Sequence, residues 1–231
     1  MPDQAGCGMP FAMSQSSDTP VRQAYDLWAE RYDSDHNKTR DLDARCLMEA
    51  NLELTGKNVV EFGAGTGKNT AFLARHADQV LAMDLSPGML DQARSRQLGA
   101  RVQFLEHDVT STWPLKSGSV DLVIGNLVLE HIEVLAPVVS EAARVLRPGG
   151  LLYLAELHPF RQLQGSQARF EQADGKEVRV DAWYHGVADY CAAACDAGLR
   201  LVDLREPADS ALTVGARAVP RLLVMQFVKT D

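Results

Sequence analysis

The chain of 231 residues is long enough for one complete hydrophobic core, or for one core with a small appendage. Its apolar fraction of 46% and charged fraction of 23% are typical of globular proteins. The net charge of −8 argues against a nucleic-acid partner, because tracking a phosphate backbone needs a basic surface. No apolar run reaches the roughly 18 residues of a membrane span, and no basic and apolar secretory signal opens the sequence. We therefore expect a cytoplasmic protein with no membrane partner.

The first sixty residues divide into a leader and two helices. Residues 1–18 are rich in Gly, Pro and Ser without periodicity, which predicts a flexible leader. Thr19-Pro20 then offers an N-cap with proline at the first helical position. A second apolar stripe predicts another helix over residues 41–54. The first helix carries aromatic residues at helical spacing, namely Tyr25, Trp28 and Tyr32.

From residue 58 onward, strand and helix patterns alternate. The strands are rich in β-branched residues and apolar on both faces, as in a parallel sheet covered by helices on both sides. The predicted strands cover residues 58–62, 79–84, 101–106, 119–125 and 151–156, and the predicted helices cover 67–76, 87–98 and 133–146.

After Pro159 the pattern changes. Residues 166–184 predict a hairpin that turns at Asp174-Gly175, and a helix is expected over 187–197. Strands at 199–205 and 221–228 have no helix between them, so they should be antiparallel neighbours, with a loop over 207–219. The prediction is a single α/β domain over residues 19–231. It has a Rossmann-like, seven-stranded, mostly parallel sheet with an antiparallel edge strand, helices on both faces, and a small cap made by the N-terminal helices and the 160–185 insertion.

Acidic residues and glycines stand where successive predicted strands end. In open parallel sheets, ligands bind beyond these carboxyl ends. Gly63 and Gly65 follow the first strand, and such a turn lets a ligand approach the main chain. Asp84 ends the second strand, at a spacing that suits the two hydroxyls of a ribose. Asp108 follows the third strand and would accept from the exocyclic amine of a purine, with the Val109 N–H beside it.

Two residues at the glycine turn decide which nucleotide fits. A dinucleotide fingerprint needs glycine where Lys68 stands, and Lys68 also lies too close to Gly63 for a phosphate-binding P-loop. Glu61, just before the turn, would repel a pyrophosphate but suits a ligand with an ammonium group. The pattern therefore favours an adenosine cofactor with an amino-acid end.

Together these segments resemble the class I S-adenosylmethionine-dependent methyltransferases, in particular the small-molecule branch that includes the ubiquinone and menaquinone biosynthesis methyltransferases. The similarity covers roughly residues 20–231. The segments that carry it are 60–67, 84–90, 108–109, 121–123, 126–131 and 146–150.

The resemblance implies a role for each matching residue. The glycine turn would hold the methionine end of S-adenosylmethionine, Asp84 the ribose, and two apolar side chains the adenine, whose amine edge would meet Asp108-Val109. Two residues after the fourth strand would line the site beside the sulfonium, and two tyrosines of the first helices would cover the cofactor. The residues meant are Glu61, Gly63, Ala64 and Gly65 at the glycine turn, Leu85 and Met89 at the adenine, Asn126 and Leu127 after the fourth strand, and Tyr25 and Tyr32 over the cofactor.

Two family patterns are missing. The [DN]-P-P-[YFW] motif of nucleic-acid amino-methylating members is replaced by Asn126-Leu127-Val128-Leu129. The Asp-Asn pair of metal-dependent catechol-type members is replaced by Glu156-Leu157-His158-Pro159. We therefore expect a small-molecule acceptor and no metal.

The chemistry left to the protein is in-line positioning and, where needed, removal of a proton from the acceptor. Histidine is the natural base near neutral pH, and His158 and His185 are the candidates, with His131 more typical of packing. Trp183 and Tyr184 of the hairpin are expected in the wall of the acceptor pocket, which suits a small, partly apolar or aromatic acceptor.

The predicted function is transfer of a methyl group from S-adenosylmethionine to an O, N or C nucleophile of a small metabolite. The alternative is a regulatory or accessory protein that binds S-adenosylmethionine without transfer. A nicotinamide oxidoreductase would require binding of that cofactor instead. The sequence does not indicate the acceptor or the oligomeric state.

Overall fold

The computed structural model describes residues 19–172, 174–214 and 217–231. The predicted leader, residues 1–18, lies outside this part of the chain. The described residues contain seven α-helices: α1 (Pro20–Trp28), α2 (Lys38–Met48), α3 (Lys68–His76), α4 (Pro87–Ser95), α5 (Leu135–Val145), α6 (Pro159–Leu163) and α7 (Val187–Asp196). A 3₁₀ turn covers Leu129–His131. The longest of these helices have 11 residues, and none in the described ranges has the length and apolarity to cross a membrane.

Seven strands form the main sheet. They lie in the order β3-β2-β1-β4-β5-β11-β8, where β1 to β5 are mutually parallel and β11 is antiparallel to both of its neighbours. The predicted Rossmann-like sheet with antiparallel pairing at one edge is confirmed. The strands are β1 (Asn58–Phe62), β2 (Gln79–Asp84), β3 (Val102–Glu106), β4 (Val120–Asn126), β5 (Leu146–Leu157), β8 (Leu199–Arg205) and β11 (Leu222–Lys229).

The reversed strand β11 lies one position inside the edge, and β8 forms the edge itself. Burial explains this order. Leu222, Leu223, Val224 and Met225 of β11 are all fully buried, as in a strand covered on both faces, whereas most side chains of β8 are at least partly exposed.

The two faces of the sheet pack against different helices. On one face, the core includes Val138 and Ala142 of α5 and Tyr190 of α7. On the other face, it includes Leu47 of α2 and Leu73 of α3. The helices therefore cover both faces, and the carboxyl ends of β1 to β4 stay at one rim of the sheet.

A small cap stands beside this rim. It combines α1 with the hairpin β6 (Arg169–Glu171) and β7 (Glu177–Arg179). Trp28 stacks on Phe170 with ring centroids 5.0 Å apart, and its Nε1 donates to Asp35 Oδ2 at 2.7 Å. Thr19 caps α1 by accepting from Arg22 N, as the sequence predicts. The cap therefore has its own small apolar core.

Several boundaries differ from the sequence predictions, and one predicted loop forms strands. Helix α2 begins at Lys38 because Asn37 Oδ1 accepts from the N–H groups of Thr39 and Arg40. Strand β5 begins at Leu146, ahead of the Pro-Gly-Gly that was expected to precede it. The loop expected over 207–219 was wrong. Its small residues have low strand propensity, but main-chain pairing forms an antiparallel ladder between β9 (Ala208–Val214) and β10 (Arg217–Pro220).

Candidate functional site

A cavity of about 350 Å³ lies at the carboxyl ends of β1 to β4, within the range of pockets that bind small molecules. Besides strand-end residues, its lining includes Pro20 of α1, and Ile132 and Trp183 from the connections around the cap. Every residue expected to hold the cofactor lines it except Glu61 and Ala64. Those that do are Tyr25, Tyr32, Gly63, Gly65, Asp84, Leu85, Met89, Asp108, Val109, Asn126 and Leu127.

The glycine turn after β1 has a left-handed backbone. Gly63 has φ 68° and Gly65 has φ 54°, a region that favours glycine. A Cβ added at Gly65 would meet open space, whereas one added at Gly63 would stand 2.6 Å from Val128 Cγ2. The N–H of Ala64 donates to the carbonyl of Met83 at 3.0 Å and fixes the turn against β2. Gly65 therefore leaves space that a ligand can fill, and Gly63 permits close packing.

Asp84 ties the turn to the start of α4. Its Oδ2 accepts from the N–H of Gly65 at 2.7 Å, and its Oδ1 accepts from the N–H of Ser86 at 2.9 Å. Burial raises the pKa of Asp84 above its ordinary value, and these two N–H groups partly oppose that effect. A carboxylate offers about four acceptor positions, so both oxygens keep capacity for ligand hydroxyls.

Glu61 lies beneath the turn and is buried, with an exposed fraction of 3%. The Thr70 hydroxyl of α3 donates to its Oε2 at 2.5 Å. Burial raises the pKa of Glu61 to about 8. The side chain therefore links β1 to α3, and the structure does not bring it to the cavity lining.

Asp43 is a polar residue of this region that sequence reasoning missed. It lies on α2, is buried, and accepts from Asn69 Nδ2 at 3.0 Å and from Asn126 Nδ2. Burial raises its pKa to about 6. A signal was present, because Asp43 directly follows Leu42 on the otherwise apolar stripe of α2. The acid fixes Asn126 at the end of β4.

The backbone after β4 makes a strained turn into the cavity. Leu127 has φ 55°, which non-glycine residues rarely adopt, and such strain concentrates at functional sites. Its N–H donates to the carbonyl of Ala155 at 2.8 Å. Glu156 Oε1 accepts from the next two N–H groups, of Val128 at 3.3 Å and Leu129 at 3.1 Å. These bonds hold Leu127 in the cavity wall.

A tyrosine and a histidine meet at the cap side of the cavity. Tyr25 Oη lies 2.8 Å from His131 Nε2, and His131 Nδ1 lies 2.7 Å from the carbonyl oxygen of Asp181. A carbonyl only accepts, so Nδ1 carries the proton and Nε2 accepts from the Tyr25 hydroxyl. Both side chains line the cavity, which makes His131 a site residue despite its expected packing role.

The structure does not bring His158 and His185 to the cavity, where sequence analysis placed them. His158 is the N-cap of α6: its Nδ1 accepts from the N–H of Phe160 at 3.1 Å and its Nε2 contacts Glu206 Oε1 at 2.9 Å. His185 is buried, and its Nε2 donates to the carbonyl of Ile132 at 2.8 Å. Both imidazoles are held by bonds that stabilise loops.

The hairpin contributes only part of the expected acceptor wall. Trp183 lines the cavity, and its main-chain N–H donates to the carbonyl of Glu130 at 2.8 Å. Tyr184 is 52% exposed and does not line it. Within the described ranges, no group of three or more His, Cys, Asp or Glu side chains is arranged to hold a metal ion.

Comparison with known proteins decides the family. Residues 60–154 match the model of a methyltransferase domain. The chain is 32% identical over 220 residues to an uncharacterized methyltransferase of Emericella nidulans, covering 79% of this chain and 76% of that protein. This chain belongs to the S-adenosylmethionine-dependent methyltransferases.

Two further relatives are named for different acceptors. The chain is 32% identical over 171 residues to malonyl-[acyl-carrier protein] O-methyltransferase of Yersinia pestis, covering 74% of this chain and 61% of that enzyme. It is 35% identical over 114 residues to ubiquinone biosynthesis O-methyltransferase of Xanthomonas oryzae, covering 48% and 47%. The chain therefore spans about half to three fifths of these two relatives.

A solved complex of DhpI with SAM and HEP shares the fold. It superposes with a TM-score of 0.70 at 20% identity, covering 94% of this chain and 99% of that one. At this identity the likeness concerns the fold alone.

Proposed function

We propose that this methyltransferase transfers the methyl group of S-adenosylmethionine to an O, N or C nucleophile of a small metabolite. The observation that carries the proposal is the cavity of about 350 Å³ at the strand ends, which is lined by the glycine turn, both strand-end aspartates and the Asn126-Leu127 turn. The cap belongs to the same unit, over residues 19–231, with segment 160–185 closing the cavity through Trp183.

Most of the cofactor residues divide into three groups that fit the three parts of the molecule, and the others enclose it. Asp84 has free acceptor capacity for the ribose hydroxyls, while Leu85 and Met89 supply apolar surface for adenine beside Asp108-Val109. The open space at Gly65 and the main chain of Gly63 and Ala64 suit the methionine end. Glu61 would act on that end from beneath the turn, through the backbone it supports. Tyr25, Tyr32, Asn126 and Leu127 enclose the remaining side.

When bound, S-adenosylmethionine supplies a methyl group on a sulfonium, which is already a strong electrophile. The protein's part is therefore to position the acceptor and to exclude water. The Tyr25–His131 pair is placed for the first task, because it is fixed by two hydrogen bonds at the cap side of the cavity. For His158 and His185 we propose supporting roles in place of the base roles expected from the sequence, since their hydrogen bonds hold α6 and the 3₁₀ turn.

The experiment that tests the function combines binding and turnover. Calorimetry with S-adenosylmethionine and S-adenosylhomocysteine should show binding, and a screen of metabolite pools should show acceptor-dependent release of S-adenosylhomocysteine. Binding without release from any pool would contradict methyl transfer and favour the regulatory alternative. Release that requires an acceptor supports the enzyme.

A further inference from the structure

A second cavity lies against the first and shares part of its wall. It measures about 90 Å³, and Tyr25, Tyr32 and Leu127 line both cavities. Each water occupies roughly 30 Å³ in the liquid, so the second cavity accommodates a polar end of a few heavy atoms. Its position behind the Leu127 turn separates it from the adenine and ribose residues, which line only the first cavity.

One part of the second cavity is basic. Arg40 lies with its guanidinium 3.9 Å from the ring centroid of Tyr32, and its Nη1 and Nη2 donate to the carbonyls of Tyr32 and Asp35, each at 2.6 Å. Arg221 approaches from the start of β11, and its Nη1 donates to Thr39 Oγ1 at 3.0 Å. Both arginines line the cavity, and these hydrogen bonds hold their guanidiniums in place. A guanidinium presents five N–H donors in a geometry that matches a carboxylate or phosphate.

The same cavity contains a buried acid. Glu130 is 5% exposed and lines the second cavity, while the next residue, His131, lines the first. Among the described residues, Glu130 Oε2 has no hydrogen-bond partner. A buried polar atom without a partner carries a desolvation cost that a ligand donor can remove. Glu130 Oε1 stands 3.8 Å from His131 Nε2, so the acid lies beside the wall between the cavities.

We propose that the second cavity receives the methyl acceptor, and that the acceptor is a small organic acid with a protic nucleophile. Arg40 and Arg221 bind its carboxylate or phosphate group, and Glu130 binds the hydroxyl or amine that is methylated. This inference rests on the proposed function and adds to it the acceptor class. The cavity contains both basic and acidic side chains. A ligand with an anionic group for the arginines and a hydrogen-bond donor for Glu130 accounts for both.

The transfer step balances with these groups. The methyl–sulfur bond breaks and sulfur keeps its electron pair, while a bond forms between the methyl carbon and the acceptor oxygen or nitrogen. The acceptor then loses one proton, which passes to the Glu130 carboxylate and leaves to solvent after product release. Glu130 would thus contact the reacting atom directly.

The acceptor class is tested with the full chain, S-adenosylmethionine and a metabolite extract whose anions have been altered chemically. One sample is amidated with carbodiimide and excess methylamine to neutralise carboxylates, a second is treated with phosphatase, and a third is mock-treated. We expect release of S-adenosylhomocysteine to fall at least about tenfold in one treated sample, because charge-assisted hydrogen bonds are lost. Loss on amidation without loss on phosphatase treatment assigns a carboxylate, and loss with phosphatase assigns a phosphate. Unchanged release in both overturns the anionic acceptor and leaves the methyltransferase function intact. No release from any sample contradicts the function itself.

Two variants test the residues. Arg221→Met and Glu130→Gln should each lower the initial rate of S-adenosylhomocysteine release, measured with the metabolite fraction that supports turnover, at least about tenfold. Each variant removes a charged partner of the acceptor. Arg179→Met and Glu177→Gln, on the exposed hairpin, are matched controls and should keep the rate. Binding of S-adenosylhomocysteine within twofold of the parent chain shows that the fold and cofactor cavity are intact. Full turnover in both test variants would overturn the assignment. If either variant fails to bind S-adenosylhomocysteine, Arg221→Gln and Glu130→Ala, which also remove the charge, are measured instead, and a full rate in these would also count against the assignment.

Discussion

The two cavities meet at Tyr25, Tyr32 and Leu127 but are built in different ways. The cofactor cavity depends on main chain and on residues that directly follow consecutive strands. The second cavity depends on side chains brought together from α2, the 3₁₀ turn and the start of β11, with Arg40 and Arg221 far apart in the sequence. The first kind of site can therefore be located from local sequence pattern, whereas the second exists only once the chain has folded.

The largest effect is expected from a change in the glycine turn, on whose main chain the cofactor cavity depends. Gly63→Ala should destabilise the fold by roughly 2–4 kcal/mol, since a left-handed non-glycine residue and an overpacked contact each cost a part of this. The added Cβ would stand 2.6 Å from Val128 Cγ2. Thermal unfolding and calorimetry with S-adenosylhomocysteine measure stability and cofactor affinity.

Gly118→Ala is the matched control for this change. Gly118 has φ 65°, but an added Cβ there would meet no atom within 4 Å. It should therefore show the backbone strain alone and retain cofactor affinity. Equal effects of the two variants would mean that the contact with Val128 has no energetic importance.

The next largest effect concerns the side chain that ties the turn to α4. Asp84→Ala removes the acceptor of the Gly65 and Ser86 N–H groups and the proposed ribose ligand. We expect cofactor binding to weaken by about 1–3 kcal/mol, the scale of lost charged hydrogen bonds. Calorimetry checks this, with the exposed Asp174→Ala as control. An unchanged dissociation constant would rule out the ribose role.

How much was predictable from sequence follows the same division. Strands β1 and β2 have the predicted bounds, because apolar runs next to glycine or aspartate mark strand ends locally. Asp84 and Gly65 could be placed for the same reason. Glu130 and Arg221 could not, because their meeting depends on how the cap and β11 pack. His158 and His185 were expected at the site because of their positions after a strand and before a helix, but the structure does not bring them to the cavity lining. They form hydrogen bonds with Phe160 N and the Ile132 carbonyl instead.

A smaller effect separates the three histidines. His131→Ala removes the partner of Tyr25 in the shared wall, so we expect kcat to fall about tenfold, on the scale of one hydrogen bond in a positioned pair. His158→Gln and His185→Gln should change kcat less than about twofold, because an amide replaces most of their loop contacts. Steady-state kinetics with the active metabolite fraction decides this. A larger loss in His158→Gln or His185→Gln than in His131→Ala would restore their role as bases.

The last expected effect is the pH dependence of stability that Glu61 introduces beneath the turn. Burial raises its pKa from 4.5 to about 8. The folded chain therefore holds this proton more tightly than the unfolded chain, so the contribution of Glu61 to stability is complete below pH 4.5 and is lost as the pH rises through about 8. Glu61→Gln keeps an acceptor for the Thr70 hydroxyl and removes the titration.

The Tm of Glu61→Gln should accordingly fall less than that of the parent chain between pH 5 and pH 8, where this linkage operates. Glu133→Gln, at an exposed glutamate, should keep the parent slope. Identical slopes in all three proteins would mean that Glu61 is ionised in the folded state throughout this range. The carboxylate would then be available beneath the turn to act directly on a cationic ligand end, and the cofactor cavity, like the acceptor cavity, would depend on a buried charge from a side chain as well as on its main chain.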